Sequence, residues 1–173
     1  SRITNVSPEV MVGSFPLLQM VEQFLLAHQL TISIAESCTG GLLGYRLTQT
    51  PGSSKWFVGG VQSYSNEVKM AQLGVRSESL GKYGSVSEEV AQEMALGVAQ
   101  LMDTDTAISI TGIAGPEGGN NEKPVGTVSF SVYYRGDLYT ETKRLRGNRE
   151  EIREKSVWTA LDLFRRAVKI PSK

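Results

Sequence analysis

One cysteine and one histidine stand in a chain of 173 residues. A lone thiol excludes an internal disulfide framework. Cys38 and His28 together fall short of the four N, S or O ligands that a structural zinc takes, so no metal is expected. Charge of either sign is not in excess: 18 Lys and Arg face 18 Asp and Glu, leaving no overall field to draw in nucleic acid or an anionic membrane. Apolar runs stop well short of the ~20 residues that cross a bilayer, and no signal-peptide pattern opens the chain. These absences point to one soluble domain of a reducing compartment, most simply cytoplasmic. An initiator methionine is also missing, which suits either a tag remnant or a domain cut from a longer protein.

What is present is an alternation of strand and helix signals. Residues 1–13 read as an irregular lead-in and residues 14–170 as a single domain. Ser14 as N-cap and Pro16 in the first turn predict a helix with Leu17, Val21, Phe24 and Leu25 on one face. His28, just beyond, reads as a helix-surface or helix-end residue. A strand at 31–35 follows, then a helix from Thr39 to about Gln49, broken by the Pro-Gly-Ser-Ser run at 51–54. Residues 57–64 are strand-like, and 66–73 suit a short helix. Ser87 caps another, with Glu88 and Glu89 in its first turn and Val90, Met94, Val98 and Leu101 as its stripe. A third strand runs from Thr106 to Thr111, and a Gly, Pro and Asn-rich loop fills 112–124. Residues 125–134 then alternate with period two, Val128, Phe130 and Val132 against Thr127, Ser129 and Ser131. Arg135-Gly136-Asp137 turns that strand into a hairpin, and Asn148 caps a last helix carrying Val157, Leu161, Phe164 and Val168. The pattern predicts an α/β fold, a three-layer α/β/α domain with a mixed, mostly parallel sheet of about five strands.

Chemistry concentrates where the first strand empties into Glu36-Ser37-Cys38-Thr39-Gly40-Gly41. There a hydroxyl and a thiol meet a helix start, whose N–H groups near Thr39, Gly40 and Gly41 are candidates to hold a developing oxyanion. A serine needs a base. His28 lies at the wrong end of a helix-to-strand connection, so the candidate is lysine, which serves when burial or nearby positive charge lowers its pKa. If Asn66 caps the short helix, Lys69 sits one turn in and points back toward its start, with Tyr64 facing the same cleft. Spacing alone leaves an ordinary surface role open for both Ser37 and Lys69. Cys38 is the rival nucleophile. Adjacent residues leaving a strand point apart, so Ser37 and Cys38 are not expected to share the cleft, and Cys38 reads better as a small buried residue.

The loop at 111–119 is the second constellation. Its glycines allow close backbone approach to a ligand, and Thr111, Gly112, Ala114 and Gly115 are candidates to hold phosphate or ribose, against the alternative of a plain surface loop. It is neither a Walker loop nor a dinucleotide fingerprint. Lys123 and Arg149 can each offer charge to a phosphate or stand solvated.

The runs AESCTGG at 35–41, PGSS at 51–54, YSNEVK at 64–69, LGV at 73–75, GSVSEEVA at 84–91, TGIAGPEGG at 111–119 and KPVGTV at 123–128 resemble the CinA C-terminal domain family, in order, across residues 14–168. The resemblance implies a mixed α/β/α fold and nicotinamide-nucleotide amidohydrolase activity: hydrolysis of the carboxamide of nicotinamide mononucleotide to nicotinate mononucleotide and ammonia, in pyridine nucleotide recycling. It implies a Ser–Lys acyl-enzyme mechanism on Ser37 and Lys69 with Tyr64 beside them. Asn66 joins the substrate-binding set, and no metal or organic cofactor is needed. It further implies self-association into a homo-oligomer and, in some members, a larger N-terminal domain. The alternative is a non-catalytic nucleotide-binding or regulatory domain of a longer protein, and a weaker third reading is a thiol enzyme built on Cys38.

Overall fold

The computed structural model describes residues 15–171. The expected lead-in and the Ser14 cap lie outside the described residues. Helix α1, Phe15–Ala27, buries Leu18, Val21 and Leu25, with Leu17 and Phe24 packed at its flank. It delivers the chain to β1, Ile32–Glu36, every residue of which is buried. Continuous burial is what an interior strand covered on both faces requires.

The helix after β1 is shorter than its sequence suggests. It spans only Leu42–Leu47 (α2), because Gly40 at φ 59° and Gly41 at φ 105° take left-handed conformations that a helix cannot hold. A Cβ on Gly41 would also lie 2.5 Å from the Gln62 amide. A turn at 37–41 therefore stands between strand and helix. Strand β2, Phe57–Gln62, leads into α3, Asn66–Leu73, capped by Ser65, not Asn66: the Ser65 hydroxyl accepts the Val68 N–H at 3.2 Å.

Helix α4, Ser77–Tyr83, has no counterpart in the sequence expectations. Its cap is remote, since Glu93 accepts the Arg76 N–H at 2.8 Å and the Ser79 hydroxyl. Helix α5, Glu88–Met102, starts on Ser87 as expected. Val90, Met94 and Val98 are fully buried, while Leu101 is 51% exposed because Ala99 and Met102 take the inward positions of the last turn.

Strands β3, Thr106–Gly112, β4, Thr127–Tyr134, and β5, Asp137–Arg144, complete the sheet. Arg135 at φ 53° and Gly136 at φ 82° form the tight β4–β5 turn, both central residues being left-handed as such hairpins demand. Helix α6, Arg149–Ala167, opens on a full capping box between Asn148 and Glu151.

The strand order is β2-β1-β3-β4-β5. β1 pairs in parallel with β2 and β3, whereas β4 runs antiparallel to both β3 and β5. Four of five strands thus point the same way and β4 alone opposes. One apolar cluster joins the sheet to α1, α2 and α6, and a second joins it to α3 and α5. The expected polar face of β4 is buried too: Ser129 and Ser131 turn their hydroxyls onto Thr142 at 2.7 Å and Thr140 at 3.0 Å. The C-terminal ends of β1, β2 and β3 converge on one edge, where ligand sites of open α/β sheets gather.

Candidate active site

Ser37 is the first residue beyond β1, 7% exposed, its N–H bonded to the Ile110 carbonyl of β3 at 3.0 Å. The next strand over supplies its partner. Ser63, at the end of β2, ties back to the Glu36 carbonyl through its N–H at 2.7 Å and its hydroxyl at 3.2 Å. The corner so fixed begins α3, and Lys69 reaches back along it. Its Nζ lies 2.8 Å from the Ser63 carbonyl, 3.1 Å from the Tyr64 carbonyl and 3.1 Å from Ser37 Oγ.

Lys69 is only 1% exposed, and among the described residues no carboxylate pairs with it. Burial lowers its pKa below the ordinary lysine value, because a charged amine loses its hydration there. A neutral amine has two hydrogens and one lone pair. Once deprotonated, such an amine would give its two hydrogens to the two backbone carbonyls and turn its lone pair to the Ser37 hydroxyl. That is the arrangement of a general base.

Cys38, beside the serine, faces the opposite condition. It is 5% exposed, and burial above all, with the Glu36 charge adding to it, pushes its thiol up to about 12. A thiol so held is not a thiolate at neutral pH and is a poor nucleophile. His28 is exposed at the end of α1, its Nδ1 2.9 Å from the Phe24 carbonyl. It precedes β1 while Ser37 follows it, so the length of the strand separates imidazole from hydroxyl.

A cavity of about 230 Å³ opens over Ser37. Of the candidate residues, Ser37, Cys38, Tyr64, Lys69, Thr111, Gly112, Ala114, Gly115 and Arg149 line it. Ser37 and Cys38 thus share the cleft, contrary to expectation, because beyond β1 the chain turns and no longer alternates its side chains as a strand does. Arg149, first residue of α6, donates to the Gly115 carbonyl at 2.6 Å and to the Tyr64 hydroxyl at 3.4 Å. The N–H groups of Thr39, Ala114 and Gly115 carry no partner among the described residues. Ile113, Glu117 and Gly118 of the 111–119 loop also line the cavity, as do Ser85 and Val86, which the sequence did not single out. The signal for Ser85 and Val86 was their place just before the Ser87 cap, since a chain entering a helix on this edge must pass the strand ends.

The remaining candidates are drawn elsewhere. Thr39 is fully buried, does not line the cavity, and its hydroxyl donates to Glu36 at 2.6 Å. The Gly40 N–H is spent on the Ser37 carbonyl at 3.1 Å and the Gly41 N–H on the Glu36 carboxylate at 3.2 Å. That removes both as oxyanion donors. Asn66 is exposed and outside the cavity. Lys123 binds the Tyr83 carbonyl and lines a neighbouring groove of about 330 Å³, not the Ser37 cavity. Among the described residues no cluster of His, Cys, Asp and Glu could hold a metal, and no helix is long and apolar enough to cross a membrane.

The chain matches the family model of the CinA C-terminal domain over residues 15–168. It is 50% identical over 156 residues to a CinA-like protein of Dictyoglomus thermophilum and 54% identical over 140 residues to one of Gemmatimonas aurantiaca. Those alignments cover 90% and 81% of this chain but 38% and 33% of the relatives' length. Among solved structures it is similar to competence damage-inducible protein A of Klebsiella pneumoniae, with TM-score 0.87, 35% identity and coverage of 91% of this chain and 98% of that one. A competence-damaged protein (CinA) superfamily protein of Escherichia coli aligns with TM-score 0.83 and 38% identity, over 86% of each chain.

Proposed function

Because the chain belongs to the CinA C-terminal domain family, we propose that it hydrolyses the carboxamide of nicotinamide mononucleotide, releasing ammonia and leaving nicotinate mononucleotide. The observation that carries this reading is the buried Lys69 amine 3.1 Å from Ser37 Oγ, with two carbonyls as its other neighbours. Such an amine takes the serine proton as Oγ attacks the carboxamide carbon. The tetrahedral intermediate collapses as Lys69 returns that proton to the leaving nitrogen, and ammonia departs. Water, activated by the same amine, then attacks the acyl-serine ester. Nicotinate mononucleotide is released and the Ser37 hydroxyl is restored.

The oxyanion of each intermediate needs donors that are not already committed. The N–H group of Thr39 is uncommitted in the nucleophile turn but is buried outside the cavity, so it serves only if the turn opens to the substrate. On the far wall the Ala114 and Gly115 N–H groups and the Arg149 guanidinium suit the ribose phosphate, an arginine being well matched to phosphate oxygens. No step calls for a metal or organic cofactor.

Incubation of the purified protein with nicotinamide mononucleotide, with ammonia as readout, tests the reading. Ammonia forms with the parent protein and with Cys38→Ala, and not with Ser37→Ala or Lys69→Ala. Calorimetric binding of the nucleotide without any ammonia would favour a binding or regulatory module in its place.

A further inference from the structure

The turn that carries Ser37 is held by a side chain that never meets the cavity. Glu36 is 2% exposed, and its carboxylate accepts four hydrogen bonds from the residues that follow it. Oε1 takes the Thr39 hydroxyl at 2.6 Å, the Leu43 N–H at 2.9 Å and the Gly41 N–H at 3.2 Å, while Oε2 takes the Gly44 N–H at 3.0 Å. Helix α2 has no side-chain cap of its own, since its N-cap residue is Gly41. A strand residue therefore satisfies the orphan N–H groups of the helix that succeeds it, and the 37–41 turn is closed between the two. From the other side Arg153 donates to the Thr39 carbonyl at 3.1 Å.

Glu36 borders a second cavity, of about 310 Å³ between α2 and β2, with Gly41, Gly44, Phe57 and Gln62. It does not line the one that holds Ser37 and Lys69. It thus acts through the backbone it grips.

We infer that Glu36 is the positioning residue of the nucleophile: its carboxylate fixes the turn so that Ser37 Oγ meets Lys69. The kinetic readout rests on the amide-hydrolase reading above; the geometric claim does not. A displaced nucleophile slows chemistry without weakening a substrate held mainly from the opposite wall. Two measurements on folded protein, well below its melting temperature, test this: kcat and KM for ammonia release, and the rate at which a fluorophosphonate probe labels Ser37.

Glu36→Ala should lower kcat and the labelling rate together by about 100-fold, the cost of roughly 1 Å of misplacement, with KM within about twofold of the parent. Glu36→Gln, which keeps an oxygen for the three Oε1 bonds, should recover to within about tenfold of the parent, one bond to a charged acceptor being lost. Thr39→Val removes a single bond and should fall between the two. If Glu36→Ala is folded and labels at the parent rate, or if the variants raise KM and leave kcat alone, Glu36 is not a positioning residue. A parent protein that makes no ammonia but labels at Ser37, with labelling lost in Glu36→Ala, contradicts the substrate and upholds the anchor.

Discussion

At the scale of single residues the candidate site sets two unlike neighbours side by side. Ser37 and Cys38 stand side by side, yet one touches a lowered lysine and the other is locked as a thiol near about 12. Iodoacetamide should therefore leave ammonia release intact, and Cys38→Ala should retain most of the parent kcat. Rapid inactivation by the reagent would shift the chemistry to sulfur. Lys69→Ala should lower kcat by about 10²–10⁴-fold, the usual worth of a general base, and Lys69→Arg should not rescue it, because a guanidinium stays charged. Steady-state ammonia assays decide both. A strand-end serine in a chain with one ill-placed histidine made Ser37 and Lys69 a candidate pair, spacing left a surface role open for both, and it was the family resemblance that implied the pairing. Glu36 was not legible as an anchor. Its partners are mostly backbone N–H groups, which carry no residue-type signal.

At the scale of elements, the proposed base is only as well placed as α3. That helix lies against α5 at Gly97, where a Cβ would stand 1.9 Å from the Leu73 carbonyl oxygen. Gly97→Ala should then force the helices apart, costing about 1–3 kcal/mol in a denaturant titration. Because α3 carries Lys69, the same variant should also lose kcat. Unchanged stability and activity would show that the helix contact is slack. The elements read well where caps are local: Ser87 and the Asn148–Glu151 box mark α5 and α6 within a few residues. They read poorly where a distant residue does the capping. Helix α4 escaped because Glu93 from α5 holds the N–H of its N-cap residue Arg76, and α2 was overextended because Gly40 and Gly41 are left-handed in a turn that Glu36 and Gln62 pack around at Gly41. Lys123 was misplaced for a similar reason. Asn120 accepts the Glu122 and Lys123 N–H groups at 3.0 and 2.7 Å and curls the loop, which carries the lysine to Tyr83.

At the scale of the whole molecule, burying an amine couples the site to folding. A lysine whose native pKa is depressed binds its proton less readily when folded than when unfolded. Between the native value and the ordinary 10.5 the unfolded chain holds more protons, so stability rises with pH across that window. Lys69→Met should abolish this rise and be more stable than the parent at the acidic side of the window, as urea titrations at stepped pH would show. A parent whose pH dependence matches that of Lys69→Met would mean that the amine costs the fold nothing.

The fold class followed from alternating periods, and the sheet edge that gathers the site followed from it. The pairing of β1 with both β2 and β3 sets Ser37 and the Lys69 corner on neighbouring strands. Everything chemical in the account depends on that lysine being uncharged where it lies. The most direct measurement is an NMR titration of the protein with 15N-labelled lysine, with Lys69 Nζ assigned by its absence in Lys69→Met. The predicted result is a Lys69 amine that loses its proton below 10.5, with kcat/KM rising over the same pH interval. A Lys69 signal that titrates at or above the ordinary lysine value would contradict the account.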